Sequence, residues 1–502
     1  MANRILDVPS KHPFSVSGFL ENAWNLLAEK AMRNGWTPLT RLAEAAVVSL
    51  MQRITVGQLR VLTPEHIYTF PSTLTNGSAS EKQGSRAELR VANDTFWVRL
   101  CAMGDLGFAE AYMYGDVECD DLVSLFQIFL DNRENLENMG SNLTFLFSFP
   151  QKLTSYRFLN TISNSRSNIS AHYDISNAMF AGFLSEDMTY SCAIFEDLDS
   201  DLKSVNGHHS INCSSTNGHA SPEVDELYEA QIYKLDHIIR KAKIQESHRV
   251  LEIGSGWGSM AIRIAQKIPG TAIDTITLSL QQQTLAQKRI AAEGLSDRIT
   301  VHLMDYRSMP PEWENVFDRV VSIEMLENVG EEFFDTYWRI VDWALKPRTG
   351  AGVVQVITIP EARWDRYRSE IDFIRKWVLF PGGILPTLSL LLSTLSTGSK
   401  GRLVVDSVSN IGPHYARTLR EWRRRFLDRF DDVIVPALKA EHPSVMSDEC
   451  GERGEKEIEV FKRKWTYYYC YCEIGFTTRT LGDHIITFAR EGYQDFGCDV
   501  YV

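Results

Sequence analysis

Between residues 249 and 359 short apolar runs alternate with stretches of helical periodicity, and few architectures satisfy that order. Strand-like runs fall at 249–254, 271–278, 299–304, 317–323 and 352–359, with helical patterns at 258–267, 281–293 and 331–345. The alternation predicts a doubly wound, mostly parallel, Rossmann-like α/β sheet with helices on both faces. Its first turn reads Val250-Leu251-Glu252-Ile253-Gly254-Ser255-Gly256-Trp257-Gly258, a buried strand entering a glycine turn that opens a helix. Glycine at 254 and 256 allows the tight bend and leaves no Cβ in the way of a ligand lying across it.

A dinucleotide site would want G-x-G-x-x-G and an acid about twenty residues further on. Here the third glycine, Gly258, comes one residue early, and the second strand ends in Thr277-Leu278-Ser279 rather than an acid. The third strand ends in Asp305-Tyr306, a carboxylate and a ring suited to the amino group and face of an adenine. This spacing favours S-adenosylmethionine, with another nucleotide cofactor as the next choice. The structural alternatives are a loop-capping Asp305 and a core Tyr306.

Elsewhere the chain of 502 residues divides by composition. Residues 1–150 predict a small α+β domain: a helical pattern around 19–50, then alternating apolar residues at 54–70 and 87–100. Residues 151–502 form the larger domain, with polar insertions near 198–222 and 441–459, the second ending in a helix that continues through 461–471. His208, His209 and His219 lie in the first insertion without a supporting carboxylate or cysteine pattern, so no metal site is expected. A net charge of −13 argues against a nucleic-acid partner and requires any contact with an anionic membrane to use a local basic patch. The eight cysteines lack zinc spacing, which fits reduced thiols in the cytoplasm. The start of the chain lacks an apolar core of signal-peptide length. The most apolar stretch, 377–395, is broken by Pro381-Gly382-Gly383 and Pro386, a poor membrane span that suits either the lining of an acyl tunnel or the core. Arg417, Arg420, Arg423, Arg424, Arg425 and Arg429 interleave with Leu419, Trp422, Phe426 and Phe430. That stripe suits either an anionic lipid surface or a helix with its apolar face in the core.

An ordered series of motifs over roughly residues 40–490 resembles the cyclopropane-fatty-acyl-phospholipid synthases and mycolic acid cyclopropane synthases, most nearly their eukaryotic-type members. The series runs through Ile54-Thr55-Val56-Gly57, Gly107-Phe108-Ala109-Glu110-Ala111-Tyr112, His172-Tyr173-Asp174 and Met188-Thr189-Tyr190-Ser191-Cys192. It continues with the glycine turn, Thr277-Leu278-Ser279-Leu280-Gln281-Gln282, Met304-Asp305-Tyr306-Arg307 and Glu324-Met325-Leu326-Glu327-Asn328-Val329-Gly330. It ends with Gln355-Val356-Ile357-Thr358-Ile359-Pro360, Phe380-Pro381-Gly382-Gly383 and Ile411-Gly412-Pro413-His414-Tyr415.

The resemblance implies a class I methyltransferase domain behind a smaller amino-terminal lipid-handling domain. It places Tyr190, Ser191, Gly254, Gly256, Thr277, Leu278, Gln282, Asp305 and Tyr306 against S-adenosylmethionine. It also implies a bicarbonate base, with Cys192, Glu327 and Tyr415 at the matching positions. In this scheme Glu327 orients the base, Tyr415 donates a hydrogen bond to it, and Cys192 supplies backbone or close packing. The structural alternatives are a small buried Cys192, a helix-capping Glu327 and a core Tyr415. The chain departs from the bacterial pattern at Ile357, read against a strand histidine, and at Asn328, read against a histidine after the acid. The expected reaction is methyl transfer to the double bond of an unsaturated phospholipid acyl chain, giving a cyclopropane. The alternatives are C-methylation of a sphingolipid or other long-chain lipid without ring closure, and an inactive lipid-binding protein. The expected setting is peripheral at a membrane surface, with a homodimer as the family's habit.

Overall fold

A computed structural model describes residues 37–71, 84–136, 176–202, 225–370, 372–378 and 383–497. The motif His172-Tyr173-Asp174, the histidines of the first insertion and the helical pattern before residue 37 lie outside them. The chain separates into two compact units: Met1–Arg157 with Ser369–Leu379 and Leu438–Ile474, and Phe158–Arg368 with Phe380–Ala437 and Gly475–Val502.

In the first unit, β1 (Gln58–Leu62), β2 (Ile67–Phe70), β3 (Arg86–Val91) and β4 (Val117–Cys119) form a sheet of order β2-β1-β3-β4. The alternation at 87–100 does not continue as strand. It stops at Val91, and Thr95–Met103 is a helix. The Asn93 side chain accepts from the backbone N–H and hydroxyl of Thr95, turning the chain before Phe96 and Trp97 are buried. Tyr467, from the long helix Glu452–Thr477, packs its ring on Phe108, Phe126 and Phe373. These aromatic contacts join distant segments into one core.

The second unit carries β5 (Arg249–Ile253), β6 (Ala272–Thr277), β7 (Ile299–Leu303), β8 (Arg319–Ile323), β9 (Ala351–Thr358), β10 (Leu403–Asn410) and β11 (Gly482–Arg490). Their order is β10-β11-β9-β8-β5-β6-β7. The five strands expected from the sequence pair in parallel, β9-β8-β5-β6-β7. Two antiparallel strands, β11 and β10, extend the sheet past β9. The chain runs from β5 outward to β6 and β7, then returns to β8 on the other side of β5. That reversal opens a crevice at the carboxyl ends of β5 and β8, where open α/β sheets bind ligands.

The helix Gly412–Asp428 buries Leu419, Trp422 and Phe426 in this unit, and Phe430 just beyond is buried too. Arg417 bonds Glu226 and the Asp197 carbonyl, Arg420 bonds Asp201, Arg425 bonds Asp225, and Arg424 bonds Glu421 and Asp428. The apolar stripe is therefore core, and much of the arginine charge is met by carboxylates of the chain itself, which overturns the lipid-surface reading of this helix. In the 377–395 stretch, Leu391 and Leu395 likewise belong to the core cluster beside β9.

Candidate active site

The strand β5 delivers the glycine turn to the crevice. Gly254, Gly256 and Gly258 all have left-handed backbones, with φ of 101°, 47° and 90°, conformations in which a side chain is strained. Gly258 then caps the helix Ser259–Lys267. The turn floors a cavity of about 140 Å³. Among its walls are Tyr190, Ser191, Lys234, Glu252, Thr277, Leu278, Gln282, Tyr306, Glu324 and Asn328. At the end of β6, Thr277 donates to Gln282 Oε1 at 2.7 Å, and Ser279 caps the following helix. Tyr190 stacks on Trp422 (centroids 5.0 Å apart, 28° between planes) and meets Phe180 edge-on, so aromatic faces back one side of the cavity.

Of the nine residues expected at the cofactor, eight line this cavity and Asp305 does not. The Asp305 carboxylate accepts from the Arg307 backbone N–H and guanidinium at 2.8 Å, the capping role open to it from the start. Glu252 was visible only as part of the glycine motif. Its Oε2 is buried without a hydrogen-bond partner, and burial pushes the carboxyl up to about 8.

Beside the turn lies a buried polar centre. The carboxylate at its middle is Glu324, the residue after β8. Its Oε1 accepts from the Cys192 backbone N–H and from Gln355 Nε2, both at 2.8 Å, and its Oε2 accepts from the Tyr415 hydroxyl at 2.7 Å. Gln355 Nε2 also reaches Asp483 Oδ2 at 2.8 Å, bridging two carboxyl groups. Lys234, wholly buried, donates to Ser191 at 2.5 Å.

The structure thus joins Cys192 and Tyr415 through Glu324 rather than through Glu327. Glu327 points elsewhere: its Oε1 accepts from the Ile357 backbone N–H at 2.5 Å, and its Oε2 is buried without a partner. Burial first, and the nearby Glu324 charge second, push Glu327 up to about 8. The β9 side chain that reaches the centre is Gln355, while Ile357 contributes its backbone. Cys192 serves through its N–H, and its fully buried thiol is driven well above the ordinary cysteine range.

Residues 161–484 match the family described as mycolic acid cyclopropane synthetase. The chain belongs to this family. It is 33% identical over 400 residues to a tuberculostearic acid methyltransferase of Mycobacterium tuberculosis, covering 78% of this chain and 81% of that one. It is 32% identical over 418 residues to the cyclopropane-fatty-acyl-phospholipid synthase of Escherichia coli, covering 83% and 89%. A mycolic acid cyclopropane synthase solved with SAH and CTAB is 25% identical, with a TM-score of 0.50, covering 65% of this chain and 98% of that one. Like these relatives, this family member is an S-adenosylmethionine-dependent methyltransferase with the Rossmann-like fold.

Four polar residues of the centre had no role assigned from sequence: Glu324, Gln355, Asp483 and Lys234. One signal was present. In the helix Glu226–Lys241 the buried stripe Leu227, Ala230, Gln231, Lys234, Leu235, Ile238 contains a lysine and a glutamine at apolar positions. Buried polar side chains on a core-facing stripe point to a partner, and here that partner is the Tyr190-Ser191-Cys192 segment.

Proposed function

We propose that this protein transfers a methyl group to the double bond of an unsaturated phospholipid acyl chain and closes a cyclopropane ring there. The observation that carries this reading is one cavity lined both by the glycine turn and by Glu324, whose carboxylate has three hydrogen-bond donors. The names of two relatives, a methyltransferase of a fatty acid and a synthase acting on phospholipid acyl chains, point to the same substrate class.

The cofactor residues suit S-adenosylmethionine. A turn without Cβ atoms admits the ligand closely, Tyr306 gives a ring, and the unpartnered Glu252 oxygen gives a buried hydrogen-bonding group for the ligand. Bound there, S-adenosylmethionine supplies an activated methyl group on a positively charged sulfur. An isolated alkene is a weak nucleophile, so the chain must hold it dry and in line. Tyr190, backed by Phe180 and Trp422, presents an aromatic ring at the cavity that accommodates an acyl chain and stabilises positive charge developing on it. The Glu324 carboxylate, already held by three donors, adds stabilisation that needs no reorganisation.

No described helix is long and apolar enough to cross a membrane. A phospholipid substrate therefore implies work at a bilayer surface, with the amino-terminal unit handling the lipid. The test is mass spectrometry of lipids from a host rich in unsaturated phospholipids, grown with methyl-labelled methionine, with and without the protein. One labelled methylene unit gained with loss of the alkene is the expected result. The same gain with the alkene retained would establish C-methylation without ring closure, and absence of labelled lipid would overturn the reading.

A further inference from the structure

Resting on that reading, we infer that Glu324 is the base of ring closure, a carboxylate of the chain itself standing where a bound bicarbonate would otherwise be needed. Three donors converge on it: the Cys192 N–H, Gln355 Nε2 and the Tyr415 hydroxyl, at 2.7–2.8 Å. Cys192 and Tyr415 are two of the positions from which a separate anion would have to be held. Here both are occupied, and a second anion among them would sit against a like charge in a buried site. The residues present therefore do not fit bicarbonate.

Two further observations place Glu324 at the reacting atoms. It is among the residues that line the cavity, with Gly254, Gly256 and Tyr190. Its backbone is left-handed, with φ of 47°, a conformation that a non-glycine residue keeps only when its surroundings impose it and that recurs at functional sites. The neighbouring carboxyls suit other states. Burial drives Asp483 well above the ordinary range, so it holds a proton, and Glu327 is also pushed up. Burial raises the Glu324 carboxyl as well, but the Cys192 N–H, the Tyr415 hydroxyl, the Lys234 charge and Gln355 all act against that rise and favour its anion.

Once the transferred methyl has bonded to one alkene carbon, the other carbon is positive. Glu324 takes a proton from that methyl, the released C–H electron pair bonds to the cationic carbon, and the ring closes. The proton passes to solvent as product leaves, returning Glu324 to its anion.

The experiment measures labelled ring product in buffer stripped of carbon dioxide and in the same buffer with bicarbonate restored. The wild type is expected to work equally in both. Glu324→Gln is expected to lose roughly 10²–10⁴-fold in ring formation while still binding S-adenosylmethionine. Glu324→Ala is expected to lose as much, and to regain activity with added formate or bicarbonate, which does nothing for the wild type. A wild type that stops without bicarbonate would overturn the inference, as would a Glu324→Gln enzyme that closes rings at the wild-type rate. The first of these needs no variant to fold. No labelled lipid from the wild type in either buffer would instead overturn the parent reading of the substrate, and this inference with it.

Discussion

Glu324 and Glu327 stand three residues apart, and their surroundings give them opposite tasks. Glu324 has three donors and a nearby lysine, whereas Glu327 has one backbone donor and an unpartnered oxygen. The motif Glu324-Met325-Leu326-Glu327 was plain in the sequence, but a list of residues does not say which of these two buried acids gathers the donors. The segments that pack against Glu324, carrying Cys192, Gln355 and Tyr415, decide that. Two outcomes follow at this scale. Tyr415→Phe removes one hydrogen bond to a buried anion, worth about 1.5–3 kcal/mol, so ring formation should fall roughly ten- to hundredfold. Affinity for S-adenosylmethionine should hold, because Tyr415 is not among the cavity's lining residues. Steady-state kinetics beside a cofactor titration checks both. Lys234→Met leaves buried acids without their nearby cation, and urea denaturation should show a loss of about 3–5 kcal/mol.

At the scale of elements, the glycine turn was legible because its chemistry is local. A strand, a bend and a helix start occupy nine consecutive residues. Gly254→Ala puts a Cβ at φ of 101° and 3.4 Å from Met325, the residue next to Glu324. Cofactor affinity should drop at least about tenfold by calorimetry, the equivalent of 1–2 kcal/mol of backbone strain. The helix Gly412–Asp428 was not legible in the same way. Its periodicity identified the apolar face without saying whether lipid or protein covers it. Trp422 is fully buried against Tyr190 and Tyr415, so Trp422→Ala should cost about 3–5 kcal/mol in denaturant unfolding.

For the molecule as a whole, buried acids set a pH dependence. Glu252 and Glu327 sit near 8 when folded against a reference of 4.5, so between these values the folded chain keeps protons that the unfolded chain releases. The stability they contribute is complete below 4.5 and is lost as pH rises toward 8, by up to about 1.4 kcal/mol per pH unit for each group. Thermal melts of the cofactor-free protein across that range should show the decline, and Glu252→Gln with Glu327→Gln should flatten it. A stability that rises over the same interval would contradict the burial of these acids.

The sequence by itself determined the parallel strands, the glycine turn, the membership of the family and eight of the residues that line the cavity, because each is written in a periodicity or a short contiguous motif. Only the tertiary structure decided the polar centre. Glu324, Gln355, Tyr415 and Asp483 come from four separate elements, and Asp483 lies 128 residues from Gln355 on an antiparallel strand that the alternating pattern did not announce. Which of several acids is buried, paired and charged depends on what folds against it, and a linear pattern of residue types does not contain that.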